Sequence, residues 1–257
     1  MTMERQKERE QLEKKLTSRL ARTSIQYGVL APGDRILVAV SGGKDSYCLL
    51  YLLDKLRGRL PFHIDITACH INQGQPGYDG SGLVAWLDET GIPHEIVEQD
   101  TYSVVARNTR EGDTACAVCS RMRRGILYTW AQKLECNKVA LGHHREDTLA
   151  TLMLNLFYSG KIQAMPARYT TNDGRLEVVR PLIEVAEDDL RQLAVMAGFP
   201  IISCGLCSNQ LDHKRKMVGD LLDKLERDNS ELKNIMLAAL KNIRPTHLLD
   251  LKLNPNS

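Results

Sequence analysis

The amino-acid sequence predicts an α/β protein built on a doubly wound parallel sheet, with a helix ahead of it and a helical annex behind. Three observations carry this prediction. Short apolar runs alternate with helix-length amphipathic segments in the order β-α-β-α-β. A glycine turn, Gly42-Gly43, passes the first apolar run directly into a helix. A second polar turn, residues 142–147, follows a later apolar run in the same way, and both turns fall at strand ends, where open α/β sheets hold their ligands.

Taken in order, residues 4–26 set Leu12, Leu16, Leu20 and Ile25 at helical spacing among charges, which predicts an amphipathic helix lying against RNA or against the domain itself. The run Ile36-Leu37-Val38-Ala39-Val40 is the first strand, followed by a helix from Ser46 to about residue 56 with Leu49, Leu50, Leu52 and Leu53 on its apolar side. Residues 64–71 form a second strand. Helix 82–90, stopped by Gly91 and Pro93, leads to a third strand at 95–97 and a short helical segment at 102–109. Residues 110–118 are expected as a loop that delivers Cys119 to a helix over 120–134, and a fourth strand follows at 138–141. Helix 146–158 comes next. Gly160, Pro166, Asn172, Asp173 and Gly174 mark a long loop, with room for a short hairpin, before a last strand at 178–182. Helix 187–197 ends at Gly198, residues 203–207 turn, and helices over 213–226 and 230–242 complete the chain. The expected division is an N-terminal helix (1–28), a nucleotide-binding α/β domain (29–200) and a C-terminal annex (201–257).

With 257 residues the chain can bury one substantial core and a small accessory unit. The net charge is only +2, so affinity for nucleic acid requires clustered charge. Such clusters occur at Arg121, Arg123 and Arg124, at Lys214, Arg215 and Lys216, and along the first helix at Arg5, Lys7, Arg9, Lys14, Lys15, Arg19 and Arg22. Each is equally readable as a solvated helix face. No run approaches the roughly 18 apolar residues that span a membrane, so no membrane partner and a cytoplasmic location are expected.

The hexapeptide Ser41-Gly42-Gly43-Lys44-Asp45-Ser46 joins a strand to a helix N-terminus, a place that binds phosphate through unpaired N–H groups and the positive end of the helix dipole. It lacks the four-residue spacing of a Walker loop. Seven cysteines include two Cys-x-x-Cys pairs, Cys116/Cys119 and Cys204/Cys207, which in a reducing compartment point to metal or redox chemistry. A four-thiolate zinc site and an iron–sulfur cluster both fit that pattern. Cys48, Cys69 and Cys136 lie in apolar runs and are expected as buried hydrophobes. His143 and His144 either orient phosphate and move protons or simply satisfy a turn.

The hexapeptide resembles the signature of the PP-loop ATP pyrophosphatases, which cleave ATP between the α and β phosphates and adenylate a carbonyl oxygen. The run from Cys116 to Tyr128, the Gly142-His143-His144-Arg145 turn, Phe157-Tyr158 with Gly160-Lys161, Arg180-Pro181-Leu182 and the Cys204/Cys207 turn together resemble the tRNA 2-thiocytidine synthetases over roughly residues 15–250. That resemblance implies an enzyme that adenylates the C2 oxygen of cytidine 32 in the tRNA anticodon loop and replaces it with sulfur by means of a [4Fe–4S] cluster. It further implies that residues Ser41, Gly42, Gly43, Lys44, Asp45 and Ser46 bind ATP. Gly142 and His143 are expected beside the nucleotide, Lys44 is expected to meet the pyrophosphate charge, and Asp45 to hold Mg²⁺ through water, since hard cations favour carboxylates. Cys116 and Cys119 are implied as catalytic cluster ligands, with one of Cys204 and Cys207 as the third. A sulfur donor such as a cysteine desulfurase and a homodimer are implied as partners beside tRNA. Two departures are visible: Asn72 stands where an acidic residue is usual before Gln-x-Gln-Pro-Gly, and Ser159 replaces a glycine. The competing readings are a uridine thiolase, which usually carries further cysteine pairs at both ends, a persulfide enzyme without iron, and a nucleotide-binding regulator with a zinc clasp.

Overall fold

The structure, a computed structural model, describes residues 3–104, 115–202 and 211–253, with side chains from Cys119 and His213 onward in the later two segments. A six-stranded sheet runs in the order β3-β2-β1-β4-β6-β5. Its strands are β1 (Arg35–Ala39), β2 (Asp65–Asn72), β3 (His94–Glu98), β4 (Lys138–Ala140), β5 (Arg168–Thr170) and β6 (Glu177–Val179). All neighbours are parallel except β5, which pairs antiparallel with β6 and closes the hairpin expected in the long loop. The strand order reverses between β1 and β4, and that switch point is where an open α/β sheet leaves a crevice.

The helices are α1 (Met3–Tyr27), α2 (Lys44–Arg57), α3 (Ser81–Thr90), α4 (Ala115–Lys133), α5 (Arg145–Ser159), α6 (Glu187–Ala197), α7 (Leu211–Asp228) and α8 (Leu232–Ala239). One sheet face is covered by α1, α2, α3 and α6, whose Leu16, Leu20, Leu49, Leu53, Leu83 and Leu190 join Ile36, Val38 and Ile66 in the main core. α4 covers the other face, with Leu127 and Ala131 over Leu37, Cys69 and Val139. Each fully buried leucine contributes about 1.5–3 kcal/mol, which explains why a helix as charged as α1 docks: Leu12, Leu16 and Leu20 lie on one stripe and are all buried. Ile25, expected on that stripe, is exposed because it lies five residues after Leu20, which turns it off the face that buries Leu12, Leu16 and Leu20.

Cys48, Cys69 and Cys136 are buried, as expected of small hydrophobes. Two boundaries differ from expectation. α4 begins at Ala115, so Cys116 stands in the helix and not on a loop, since Ala115-Cys116-Ala117 contains nothing that breaks a helix. The last strand stops at Val179, because Pro181 has no N–H for the ladder and Arg180 and Leu182 instead accept turn bonds from Ile183 and Val185. In the annex, Val218 and Leu222 of α7 and Met236 of α8 pack on Leu149, Ala150 and Met153 of α5.

The N-terminal ends of β1 and β4 are tied by a polar network centred on the buried pair Lys138 and Asp34. Lys138 Nζ reaches the Asp34 carboxylate at 2.8 Å and donates to the Val29 carbonyl at 3.0 Å. Asn137 donates to Asp34 at 2.9 Å and accepts the Arg35 N–H at 2.7 Å. Lys138→Met leaves Asp34 buried without its cation, a loss of about 3–5 kcal/mol. Urea unfolding should show that loss, and a change under about 1 kcal/mol would show that the backbone ladder alone sets this register.

Candidate active site

The phosphate loop is shaped by two serines and two glycines. Ser46 Oγ accepts the Ser41 N–H at 3.1 Å and donates to the Gly43 carbonyl at 2.8 Å, which folds the loop back onto the start of α2. Gly42 has φ +84°, a left-handed conformation that only glycine adopts freely, and an added Cβ there would come within 3.0 Å of the Ile202 side chain. Gly43 is the N-cap, and no side chain caps α2. The first N–H groups of the helix therefore face the crevice without a side-chain acceptor.

The second turn meets this loop directly. A Cβ on Gly142 would lie 3.0 Å from the Asp45 carbonyl carbon and oxygen and 3.2 Å from the Ser46 nitrogen, so space demands glycine there. The turn from β4 to α5 thus rests on the backbone of α2. The structure brings Ser41, Gly42, Gly43, Lys44, Asp45, Ser46, Gly142 and His143 together at the switch point.

The charges around this junction are arranged in opposing pairs. Lys44 Nζ lies 2.8 Å from Glu187 at the start of α6 and 3.1 Å from Asp45. Burial lowers the Lys44 ammonium, but the Glu187 hydrogen bond and the Asp45 charge outweigh it and hold it above its usual range. Asp45 is pushed up by burial, with His144 and Lys44 pulling the other way. Its Oδ1 is buried without a hydrogen-bond partner among the described residues, and an orphaned carboxylate oxygen of this kind suits a hard divalent cation.

The two histidines differ sharply. His144 is buried among carboxylates: Glu146 at 3.2 Å, Asp147 at 3.5 Å and Asp45 at 3.9 Å. Burial lowers its pKa, but the Glu146 bond and the Asp147 charge raise it on balance. Burial likewise raises Glu146, yet the bond from His144 and the Arg145 guanidinium bring it down to about 2. His143 is instead pushed down to about 4 by burial, and its Nδ1 accepts a hydrogen bond from Arg180 Nε at 3.2 Å. His143 is therefore neutral with its proton on Nε2, while the carboxylates around His144 favour its protonated form.

On the other side of β1, Cys119 Sγ lies 3.2 Å from Gln73 Oε1 in the loop that leaves β2. Cys116 is three residues earlier on α4, hence on the same helix face. The Cys116 side chain and the whole of Cys204 and Cys207 lie outside the described residues, as do residues 105–109 of the expected short helix. Among the described residues no three His, Cys, Asp or Glu side chains converge as a metal site. Ile202, two residues before Cys204, donates its N–H to the Gly42 carbonyl at 2.9 Å, and the Tyr47 hydroxyl donates to the Pro200 carbonyl at 2.8 Å. The chain leading to the second cysteine pair is thus fastened to the phosphate loop. A cleft of about 660 Å³ opens beside it, lined by Tyr78, Tyr102, Pro200 and Ile202 among others.

Sequence reasoning missed Glu187, Glu146 and Arg180 as neighbours of Lys44, His144 and His143. The one local signal was the acidic start of α6, Glu187-Asp188-Asp189, which marks a helix N-terminus but not its partner. Of the basic residues on α1, Lys15 and Arg19 are paired with Asp189 and Glu184 and Arg9 donates to the Tyr51 hydroxyl, so they serve docking of the helix. Arg121 and Arg124 are exposed and Arg123 is half-buried.

A family model described as a PP-loop domain matches residues 8–202. A tRNA-cytidine(32) 2-sulfurtransferase of Variovorax paradoxus is 46% identical over 245 residues, 95% of this chain and 79% of that protein. One from Anaeromyxobacter sp. strain K is 45% identical over 243 residues, 95% of this chain and 84% of that protein. The solved U34-tRNA thiolase NcsA from Methanococcus maripaludis, with its [4Fe–4S] cluster, superposes with a TM-score of 0.73 at 25% identity, covering 91% of this chain and 79% of that one. With the glycine loop and the β4 turn in contact at the switch point, these similarities show that the chain belongs to the PP-loop family and, within it, to the tRNA-cytidine(32) 2-sulfurtransferases.

Proposed function

We propose that this protein is an ATP-dependent tRNA-cytidine(32) 2-sulfurtransferase that converts the cytidine to 2-thiocytidine. The observation that carries this reading is the contact of the Gly142 turn with the Lys44-bearing loop, beside Cys119, which reaches the loop beyond β2. The cytosine C2 oxygen attacks the α-phosphate of ATP, and pyrophosphate leaves. Lys44 exchanges the Glu187 carboxylate for phosphate oxygens as ATP binds, and with the open N–H groups of α2 it meets the charge that develops on the leaving group. Asp45 offers Oδ1 to Mg²⁺. A [4Fe–4S] cluster held by Cys116, Cys119 and one of Cys204 and Cys207 would present the sulfur that replaces the activated oxygen as AMP departs. Neutral His143, oriented by Arg180, donates from Nε2, and His144 supplies a positive charge against the phosphates. Arg121, Arg123 and Arg124, on the helix that carries the cysteines, contact the tRNA backbone.

This reading keeps the division into helix 1–28, nucleotide-binding unit 29–200 and annex 201–257. It places the protein in the cytoplasm with its tRNA and a sulfur donor such as a cysteine desulfurase, and it includes a homodimer as the assembly. No helix of the described residues is long and apolar enough to cross a membrane.

The deciding experiment digests bulk tRNA from cells with and without the gene and compares thiolated nucleosides by mass spectrometry. Loss of 2-thiocytidine alone is expected, and loss of a thiouridine or no change would overturn the reading. Lys44→Ala should lower ATP-dependent pyrophosphate release roughly 10²–10³-fold with the visible absorbance of the cluster unchanged. Retained release would remove Lys44 from the chemistry. Reversing charge with Arg123→Glu and Arg124→Glu should weaken tRNA binding and flatten its dependence on salt by about one log unit for each phosphate left unneutralised. An unchanged slope excludes a role for these arginines at the phosphates. His143 has a folded pKa of about 4, below the 6.5 of an exposed imidazole, so the unfolded chain takes up a proton that the folded site refuses. Stability should fall as pH drops from 6.5 toward 4, and His143→Gln should show a smaller fall over that window in urea unfolding. Parallel curves for the two proteins would refute the neutral, buried imidazole.

A further inference from the structure

We propose that the exposed surface shared by the end of α5 and the start of α7 is a stacking and phosphate-binding platform for the tRNA substrate. The proposal rests on the tRNA reading given above and adds a site to it. Phe157 and Tyr158 are 50% and 47% exposed on the last turn of α5, with ring centroids 6.4 Å apart and planes at 85°. Large aromatic side chains left in water beside one another mark a binding surface more than a solvated one. Tyr158 is held in place: its hydroxyl points to Met217 Sδ at 3.9 Å, and Lys214 Nζ sits 4.5 Å from its ring centroid. Lys161, Lys214 and Lys216 are exposed around the pair, and the neighbouring Arg215 is ion-paired with Asp147 at 3.6 Å.

Aromatic faces among exposed lysines fit single-stranded nucleic acid, in which every base offers a π-face and every linkage a negative charge. The charge also decides against a second copy of the chain. A two-fold interface here would bring Lys161, Lys214 and Lys216 against their own counterparts in a patch losing its water. The platform is continuous with the active site, because Arg215 reaches Asp147 in the first turn of α5, beside His144. From Asp147 to Tyr158 the helix rises about 16 Å, a span that accommodates nucleotides flanking a base drawn into the crevice.

The test measures binding of an unmodified tRNA transcript to the full chain across a range of salt concentrations. Phe157→Ala with Tyr158→Ala should weaken binding roughly tenfold or more without changing the salt slope or the affinity for ATP, and Phe157→Trp with Tyr158→Phe should retain it. Lys161→Ala with Lys214→Ala should weaken binding and flatten the slope by about one to two log units. If the parent protein binds tRNA and the aromatic double variant binds it equally well, the platform is refuted and the tRNA reading stands. If the parent binds no tRNA, the tRNA reading falls and the platform with it. If the double variant only dissolves a dimer seen by sedimentation, tRNA affinity being unchanged, the surface is a self-interface and the proposal is overturned.

Discussion

The backbone of Asp45 and Ser46 and the α-carbon of Gly142 stand so close that a single methyl group would collide with the peptide carbonyl. The site depends on that contact. It exists because β1 and β4 are neighbours at the switch point of the sheet, and it persists because their register is pinned at the opposite end. There the buried Lys138 and Asp34 pair with one another, and Asn137 at the surface joins Asp34 to the Arg35 backbone. A register slip of one residue would turn side chains to the wrong face and leave these groups unpaired. The polar network at one end of two short strands thus fixes the distance between two turns at the other.

Electrostatics follow from the same junction. The helix start brings partial positive charge and Lys44, while α5 and α6 bring Glu146, Asp147 and Glu187 from neighbouring turns. Each cation is matched by a carboxylate: Lys44 by Glu187, His144 by Glu146, and Arg215 by Asp147. An arriving polyanion competes for cations that are already oriented, so these positions need little reorganisation when the ligand enters.

The parts of this architecture legible in the sequence are those made by local chemistry. The glycine turn after an apolar strand, the β4 turn and the helical spacing of Leu12, Leu16 and Leu20 each announce themselves within a few residues, and the structure keeps all three. The exit of β6 is hidden because the apolar run continues through Pro181 and Leu182 while hydrogen bonding stops. The start of α4 is hidden because the glycine and aspartate before it suggest a longer loop. Glu187 cannot be paired with Lys44 from sequence at all. The two meet through the packing of α6 beside α2, and a helix-starting glutamate carries no mark of the partner it reaches across the fold.

The adjacent histidines show how much a backbone turn decides. Identical side chains at 143 and 144 leave the chain in different directions, one toward Arg180 and the other toward three carboxylates. Burial lowers both, yet only His144 has anionic neighbours enough to reverse it, so the two pKa values move apart, His143 down to about 4 and His144 upward. Sites that separate the pKa values of like groups in this way assign a role to each. Composition alone allows either role at either position. The assignment comes from the turn, which settles on α2 at Gly142 and gives consecutive side chains different partners, Arg180 for one and carboxylates for the other.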